Sequence, residues 1–336
     1  MGQSPNFVIV GAGSLGQSFA ALLAQAGHEV TLLATPRSAQ RLSTNGGIRL
    51  QGAVDAVVPL RTGSAIAVSL ALTTDAGELP PDAQVIFTTK GHDLPAAIEN
   101  VRSRAGERVA WAAGVQNGIV KDDLLAAAFG ADRVVGAVTI FGAQRPAAAQ
   151  GAVQVTSRGA TYLGELSGHL SPRVQRAAEA LAASGIPTEA RDDIASVLWS
   201  KACNATGVFG VTVLTRVSNQ QLFANPHLMR AYLMLVRETA AVAKAYGVEV
   251  GNYAGFPPIR TYAERDHEAT IAALQPLGGG PPSYASMTQD LLAGQPLEVD
   301  AVFGDIVARA DLRGVPVPSL RLVRDLIRGI DAANRS

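Results

Sequence analysis

The strongest constraint on this chain is a glycine turn set between an apolar run and a helix-forming run. Phe7, Val8, Ile9 and Val10 drop directly into Gly11-Ala12-Gly13-Ser14-Leu15-Gly16, and an alanine- and leucine-rich segment continues to Gly27. The pattern reads as strand, turn, helix. Gly11 allows a tight turn off the strand, Gly13 leaves room for a pyrophosphate against the backbone, and Gly16 lets the helix sit close to the sheet. Unpaired amides and the positive end of the helix dipole would then face the phosphates. Glycine spacing alone is weak, and the context strengthens it: Gly27-His28 closes the helix and Glu29 to Ala34 reads as a second strand, giving the length of a βαβ start. Gly11, Ala12, Gly13, Ser14, Leu15 and Gly16 are therefore candidate dinucleotide contacts, against a purely structural turn.

The end of the second strand usually decides between the two nicotinamide cofactors. An acidic side chain there bonds the ribose 2′-hydroxyl and repels a 2′-phosphate. Here the strand runs out as Ala34-Thr35-Pro36-Arg37-Ser38, with Arg41 a turn further and no carboxylate. The expectation is NADPH, with Arg37 as the phosphate contact; the alternative is that Arg37 is a solvated loop residue.

Gly47 to Leu50 and Val54 to Leu60 suit a hairpin, and an alanine-rich stretch with no evident chemistry follows. Val85 to Thr89 is a nearly continuous apolar run, as buried parallel strands are. It ends at Lys90-Gly91-His92-Asp93. The carboxyl ends of parallel strands face the ligand crevice, so Lys90 is placed to meet an anion. A helix is expected from Asp93, a residue of N-cap character. Val109 to Ala113 reads as a further strand leading into Val115-Gln116-Asn117-Gly118. Asn117-Gly118 is either a plain turn or a place where an amide reaches cofactor or substrate. Leu124 to Phe129 continues a helix, and Arg133 to Gly142 reads as one strand. With Gln154-Val155 and Thr161 to Leu163 to follow, regular βα alternation is lost near the end of this half.

At 336 residues and 48% hydrophobic the chain can bury a large core, and two domains suit that length. With 28 basic and 28 acidic residues the net charge is zero, which gives no electrostatic case for nucleic acid or an anionic membrane. The single Cys203 cannot form an internal disulfide, and neither a signal-type segment nor an uninterrupted apolar run of spanning length stands out. The cytoplasm is the expected compartment. His28, His92, His169, His227 and His267 lack ligand-type spacing, so no metal site is expected.

Pro172 to Ser184 has helical periodicity, Thr188 to Ala190 suits an edge strand, and from Ile194 the composition turns helical. The expected architecture is an α/β Rossmann-type dinucleotide-binding domain over 1–192 followed by an all-helical domain over 193–336. Between Asp193 and Arg216 the only charged residue is Lys201. Lysines usually sit on solvated faces. Either its stem snorkels past apolar neighbours to water, or partners hold its ammonium at a cleft. Burial disfavours the charged form, so the second case calls for a carboxylate. After a long helix over Met229 to Tyr246 and an irregular stretch from Gly251 to Tyr284, Ser286-Met287-Thr288-Gln289-Asp290 leads on to Glu298. Glu298 opens a helix with an apolar stripe of Val302, Ile306 and Ala310. By spacing alone it is equally a first-turn glutamate favouring the helix dipole.

Taken together, the chain resembles the ketopantoate reductase (2-dehydropantoate 2-reductase) family over essentially its full length. The marks are Gly11 to Gly16, Lys90 at a strand end, Gln116-Asn117-Gly118, Trp199-Ser200-Lys201, Ser286 to Asp290, and Glu298. The resemblance implies NADPH-dependent reduction of a 2-oxo acid to a 2-hydroxy acid on the route to pantothenate, in a cleft between the two domains. It implies Lys201 as general acid and Glu298 as the group that holds it. It also implies that Asn117, Ser286 and Lys90 contact cofactor or substrate, Ser286 suiting the substrate carboxylate. The partner is then a small 2-oxo acid; a homodimer is compatible with a sequence that fixes no oligomeric state.

Two positions depart from the family pattern. Asparagines common four and eight residues beyond the lysine are replaced by Ala205 and Phe209, and Asn204, three residues on, lies on a neighbouring line of the same helix face. A frequent arginine at the end of the second strand falls at Thr35, leaving Arg37 or Arg41 for the phosphate. Ketopantoate is the first substrate expected. The alternatives are a reductase of this fold acting on another 2-oxo acid or an imine, and a non-catalytic NADP(H)-binding sensor.

Overall fold

The structure is a computed structural model that describes residues 6–61, 69–145, 151–273 and 282–335. The chain forms two compact units, one of 1–116 and 121–194, the other of 117–120 and 195–336.

In chain order the first unit contains β1 (Phe7–Val10), α1 (Ser14–Gln25), β2 (Val30–Leu33), α2 (Pro36–Thr44), β3 (Gly47–Gly52), β4 (Ala56–Pro59), β5 (Leu70–Thr73), β6 (Ala83–Phe87), α3 (Leu94–Ala105), β7 (Val109–Gly114), α4 (Val120–Phe129), β8 (Val135–Thr139), β9 (Gly142–Gln144), β10 (Val153–Ser157), β11 (Thr161–Glu165), α5 (Pro172–Ala183) and β12 (Thr188–Ala190). A parallel sheet runs β5-β2-β1-β6-β7. Val10 pairs with Leu33 and Phe87, Leu33 with Thr73, and Phe87 with Gly114. The strands therefore end in line, and the residues that follow them share one edge. Phe7, Val8, Ile9 and Val10 are all buried because both faces of β1 are covered. Phe7 and Ile9 pack with α1 and α5 residues, whereas Val8 and Val10 pack with Ile98 and Val101 of α3 and Leu125 of α4.

A second sheet, β4-β3-β10-β9, packs on α1 through Ile48, Leu50, Val153 and Val155. The expected hairpin is β3 and β4. The expected single strand over Arg133 to Gly142 is two strands in different sheets. β8 pairs antiparallel with β11, and the chain then turns at Ile140-Phe141 so that β9 joins β10. Phe141 meets Phe19 of α1 edge-on at 5.7 Å, an anchor that a continuous apolar run does not reveal. In sequence β5 follows residues 62–68, which make up most of the alanine-rich stretch and are outside the described residues. Asp93 stands at the N-cap of α3 without a capping bond from its side chain.

The second unit is helical: α6 (Ile194–Thr215), α7 (Asn219–Ala224), α8 (Pro226–Ala245), α9 (Ile259–Glu264), α10 (His267–Ala272), α11 (Ser286–Leu292), α12 (Asp305–Arg313) and α13 (Pro318–Arg335). α6 is long and apolar enough to cross a membrane, but 83% of its most apolar window is buried within the protein. Gly207 and Gly210 let it pack closely: a Cβ there would stand 2.5 Å from Tyr232 and from Leu235, both on α8. The stretch from Gly251 to Tyr284, expected to be irregular, carries α9 and α10, and 274–281 lie outside the described residues. The helix after Glu298 starts with a π-helical turn, Asp300–Gly304, and Val302, Ile306 and Ala310 are buried as its stripe requires.

Candidate active site

The nucleotide loop is built at the carboxyl end of β1. Gly11 has φ +108°, a conformation that favours glycine. Gly16 is required by contact: a Cβ there would lie 1.9 Å from the Gly11 carbonyl oxygen and 2.4 Å from Thr88 Oγ1. Gly13 differs, since a Cβ would meet nothing nearer than the Thr88 carbonyl oxygen at 4.0 Å. Space is thus left beside the Gly13 backbone, as close approach of a phosphate group would require. Gly13 is also the N-cap of α1 and provides no side chain to cap it, so first-turn amides remain for an anion. These residues fit a dinucleotide.

Two residues not singled out in the sequence hold that loop. The Thr88 hydroxyl bonds the carbonyl oxygens of Val10 (3.0 Å) and Gly11 (2.9 Å), and Gln17 Nε2 donates to Ala12 O at 2.8 Å. Ser14 and Leu15 are half-buried in the first turn. At the same sheet edge, Arg37 is exposed in the first turn of α2, whose N-cap is Thr35. Arg41 lies one turn on. Arg145, just after β9, is pushed down from the usual guanidinium range by partial desolvation and by the charge of Arg41. None of the three makes an ion pair with a carboxylate among the described residues, so this region carries uncompensated positive charge. Lys90 is exposed three residues beyond β6. Gln116 is buried and donates to Phe87 O at 3.0 Å, tying the end of β7 to that of β6.

The remaining candidates belong to the second unit. Lys201 is half-buried on α6. Its neighbour Ser200 is fully buried and accepts from Gly251 N at 2.8 Å, fixing α6 to the segment after α8. Asn204, half-buried one step along the same face, accepts a 2.9 Å bond from the Tyr232 hydroxyl. Glu298 is 7% exposed, just before the π-helical turn. Asp331 of α13 accepts from the Leu297 amide at 2.9 Å and so fixes the approach to Glu298. Ser286 is exposed as the first residue of α11; that helix is anchored by buried Thr288, whose hydroxyl lies 2.7 Å from that of Thr212 on α6. Asn117 is half-buried in the turn that packs with this unit. Thus Lys201, Glu298, Asn117, Asn204 and Ser286 share one compact unit, while Gly11 to Gly16, Arg37 and Lys90 share the other. Ala205 and Phe209 are buried at 5% and 7% exposure within the apolar cluster of α6.

Two family models match, "Ketopantoate reductase PanE/ApbA" over 7–168 and "Ketopantoate reductase PanE/ApbA C terminal" over 193–331. The chain belongs to the ketopantoate reductase family. Enzymes of the ketopantoate reductase family are NADP-dependent oxidoreductases acting on CH–OH groups. Curated relatives named 2-dehydropantoate 2-reductase include one from Archaeoglobus fulgidus, 28% identical with 96% of this chain and 97% of that protein covered. Another, from Pyrococcus abyssi, is 26% identical over 96% and 97%. Among solved structures, the PanE/ApbA family ketopantoate reductase from Ralstonia eutropha JMP134 matches with TM-score 0.77 and 25% identity, covering 98% of this chain and 100% of that one. A D-mandelate dehydrogenase solved with NADH and anilino(oxo)acetate shares the fold at TM-score 0.80 and 20% identity, with the same coverage.

Proposed function

We propose that this chain uses NADPH to reduce the carbonyl of a 2-oxo acid to a 2-hydroxy acid, with 2-dehydropantoate the first substrate to test. The reading rests chiefly on Lys201, the lone charge on a 22-residue apolar helix, in one compact unit with the buried Glu298. When bound, the nicotinamide supplies the hydride. Negative charge then grows on the carbonyl oxygen, and the Lys201 ammonium stabilises it and gives up a proton to form the hydroxyl. Glu298 holds that ammonium in place. Ser286 Oγ and Asn204 Nδ2 donate to the substrate's oxygens, and the Asn117 amide bonds cofactor or substrate. Gly11, Ala12, Gly13, Ser14, Leu15 and Gly16 take the pyrophosphate, Arg37 the 2′-phosphate, and Lys90 adds a positive charge at the strand ends.

We assign the nucleotide role to residues 1–192 and the substrate role to 193–336, acting in the cytoplasm. NADPH absorbance with a panel of 2-oxo acids tests the reading, and 2-dehydropantoate-dependent oxidation is expected. The apolar residues Ala205 and Phe209 favour, as a second reading, a different 2-oxo acid or an imine. NADPH binding with no turnover on any of these compounds would instead mark a sensor.

A further inference from the structure

The face of α6 that carries Lys201 continues through the positions three, four, seven, eight and eleven residues on: Asn204, Ala205, Val208, Phe209 and Thr212. Ala205, Val208 and Phe209 are buried and apolar. Thr212 has spent its hydroxyl on Val208 O (2.7 Å) and Thr288 Oγ1 (2.7 Å). Asn204 is left as the one side chain among these five with hydrogen-bonding capacity to offer a ligand.

Tyr232 decides which end of that amide is offered. Its ring is completely buried, meeting Phe223 at 5.4 Å and Tyr262 at 6.1 Å, both edge-on, and lying against Gly207, where a Cβ would come within 2.5 Å. Burial, reinforced by Tyr262 and Cys203, pushes the phenol well above its ordinary range, so the hydroxyl keeps its proton. That proton needs an acceptor, and Asn204 Oδ1 lies 2.9 Å away. Turning the amide over would let Nδ2 donate to the phenol oxygen but leave the buried O–H without its acceptor, at a cost of about 1–3 kcal/mol. Asn204 Nδ2 makes no hydrogen bond among the described residues.

We infer that Tyr232 is a positioning residue that fixes Asn204 as a donor beside Lys201, and that the substrate of this face is a 2-oxo acid with an apolar side chain. Resting on the reductase reading of Lys201, the inference gives the amide to the oxygens of the oxo-acid end. Beyond it the helix offers only Ala205, Val208 and Phe209, so a hydroxyl on the substrate's side chain gains no partner from this face.

The test compares kcat/KM for 2-dehydropantoate with its analogue lacking the 4-hydroxyl, 3,3-dimethyl-2-oxobutanoate, using NADPH. A site built to bond a hydroxyl rejects the analogue by about 10⁴-fold or more. Here the analogue is expected to be at least as good as, or within about tenfold of, 2-dehydropantoate. A larger preference for 2-dehydropantoate overturns the substrate class while leaving the reductase reading standing. Turnover of neither acid but of a 2-oxo acid with a polar side chain overturns the substrate class alone, and no oxidation of NADPH with any 2-oxo acid overturns the reductase reading and this inference with it. The positioning role is read by a double-mutant cycle. Tyr232→Phe should raise KM for the oxo acid roughly tenfold in the parent protein and leave it unchanged in an Asn204→Ala background. An equal rise in both backgrounds overturns the positioning role, since a packing defect would not depend on Asn204.

Discussion

Gly118 sits so close to Ala301 that a Cβ on it would stand 2.1 Å from the Ala301 carbonyl oxygen, and its φ is +89°. The turn bearing Asn117 is thereby pressed against the π-helical turn that follows Glu298. Gly118→Ala should lower stability by about 1–3 kcal/mol through backbone strain and reduce kcat/KM at least tenfold. Denaturant melts and steady-state rates check this; an unchanged variant would mean that the turn is free to move.

The two later glycines of the loop after β1 should differ in what their substitution does to stability. Gly13→Ala adds a methyl group to open space at an extended backbone, φ −70° and ψ −174°, so the fold should keep its stability to within about 0.5–1 kcal/mol. NADPH should nevertheless bind at least about tenfold more weakly, because the methyl group stands where the pyrophosphate approaches. Gly16→Ala collides with Gly11 and Thr88 and should lose stability as well as binding. Thermal melts with and without NADPH separate the two cases; tight NADPH binding by Gly13→Ala would remove the pyrophosphate from this loop.

Arg37→Ala should lower the ratio of kcat/KM for NADPH over NADH by about tenfold to a hundredfold, the worth of one charge-assisted bond to phosphate. Arg145→Met should lower the same ratio less, because Arg145 is held near Arg41 and adds positive charge without being the first contact. A ratio unmoved by Arg37→Ala would show that this side chain is merely solvated.

Thr288→Val removes the buried bond to Thr212 that anchors α11, and with it the placement of Ser286. KM for the oxo acid should rise about three- to tenfold, with kcat within twofold and stability lower by about 1 kcal/mol. An unchanged KM would place Ser286 outside the substrate contacts.

The legible parts of this molecule were those governed by short-range pattern. The strand-turn-helix at Gly11 and the apolar helix around Lys201 each announce themselves within some twenty residues. A fully covered strand such as β1 shows as an unbroken apolar run, and β6 as one interrupted only by Gln84. What the pattern could not carry was partnership at long range. That Thr88 closes the nucleotide loop, that Tyr232 orients Asn204 from 28 residues away, and that Asp331 fixes the approach to Glu298 depend on tertiary contact. The break at Ile140-Phe141 was hidden for a related reason: two strands of different sheets share one apolar run. Asn117-Gly118 read as a turn or as an amide reaching a ligand, and the close approach of Gly118 to Ala301 left no mark in the sequence because a plain turn asks for a glycine too.

The most direct measurement is single-turnover reduction of 2-dehydropantoate by Lys201→Ala, with NADPH affinity determined on the same sample. The account predicts a rate lower by a factor on the order of 10²–10⁴, the contribution of a positioned proton donor, with NADPH affinity within a few-fold of the parent. A rate close to the parent's, with NADPH still bound, would contradict it and take the proton source away from Lys201.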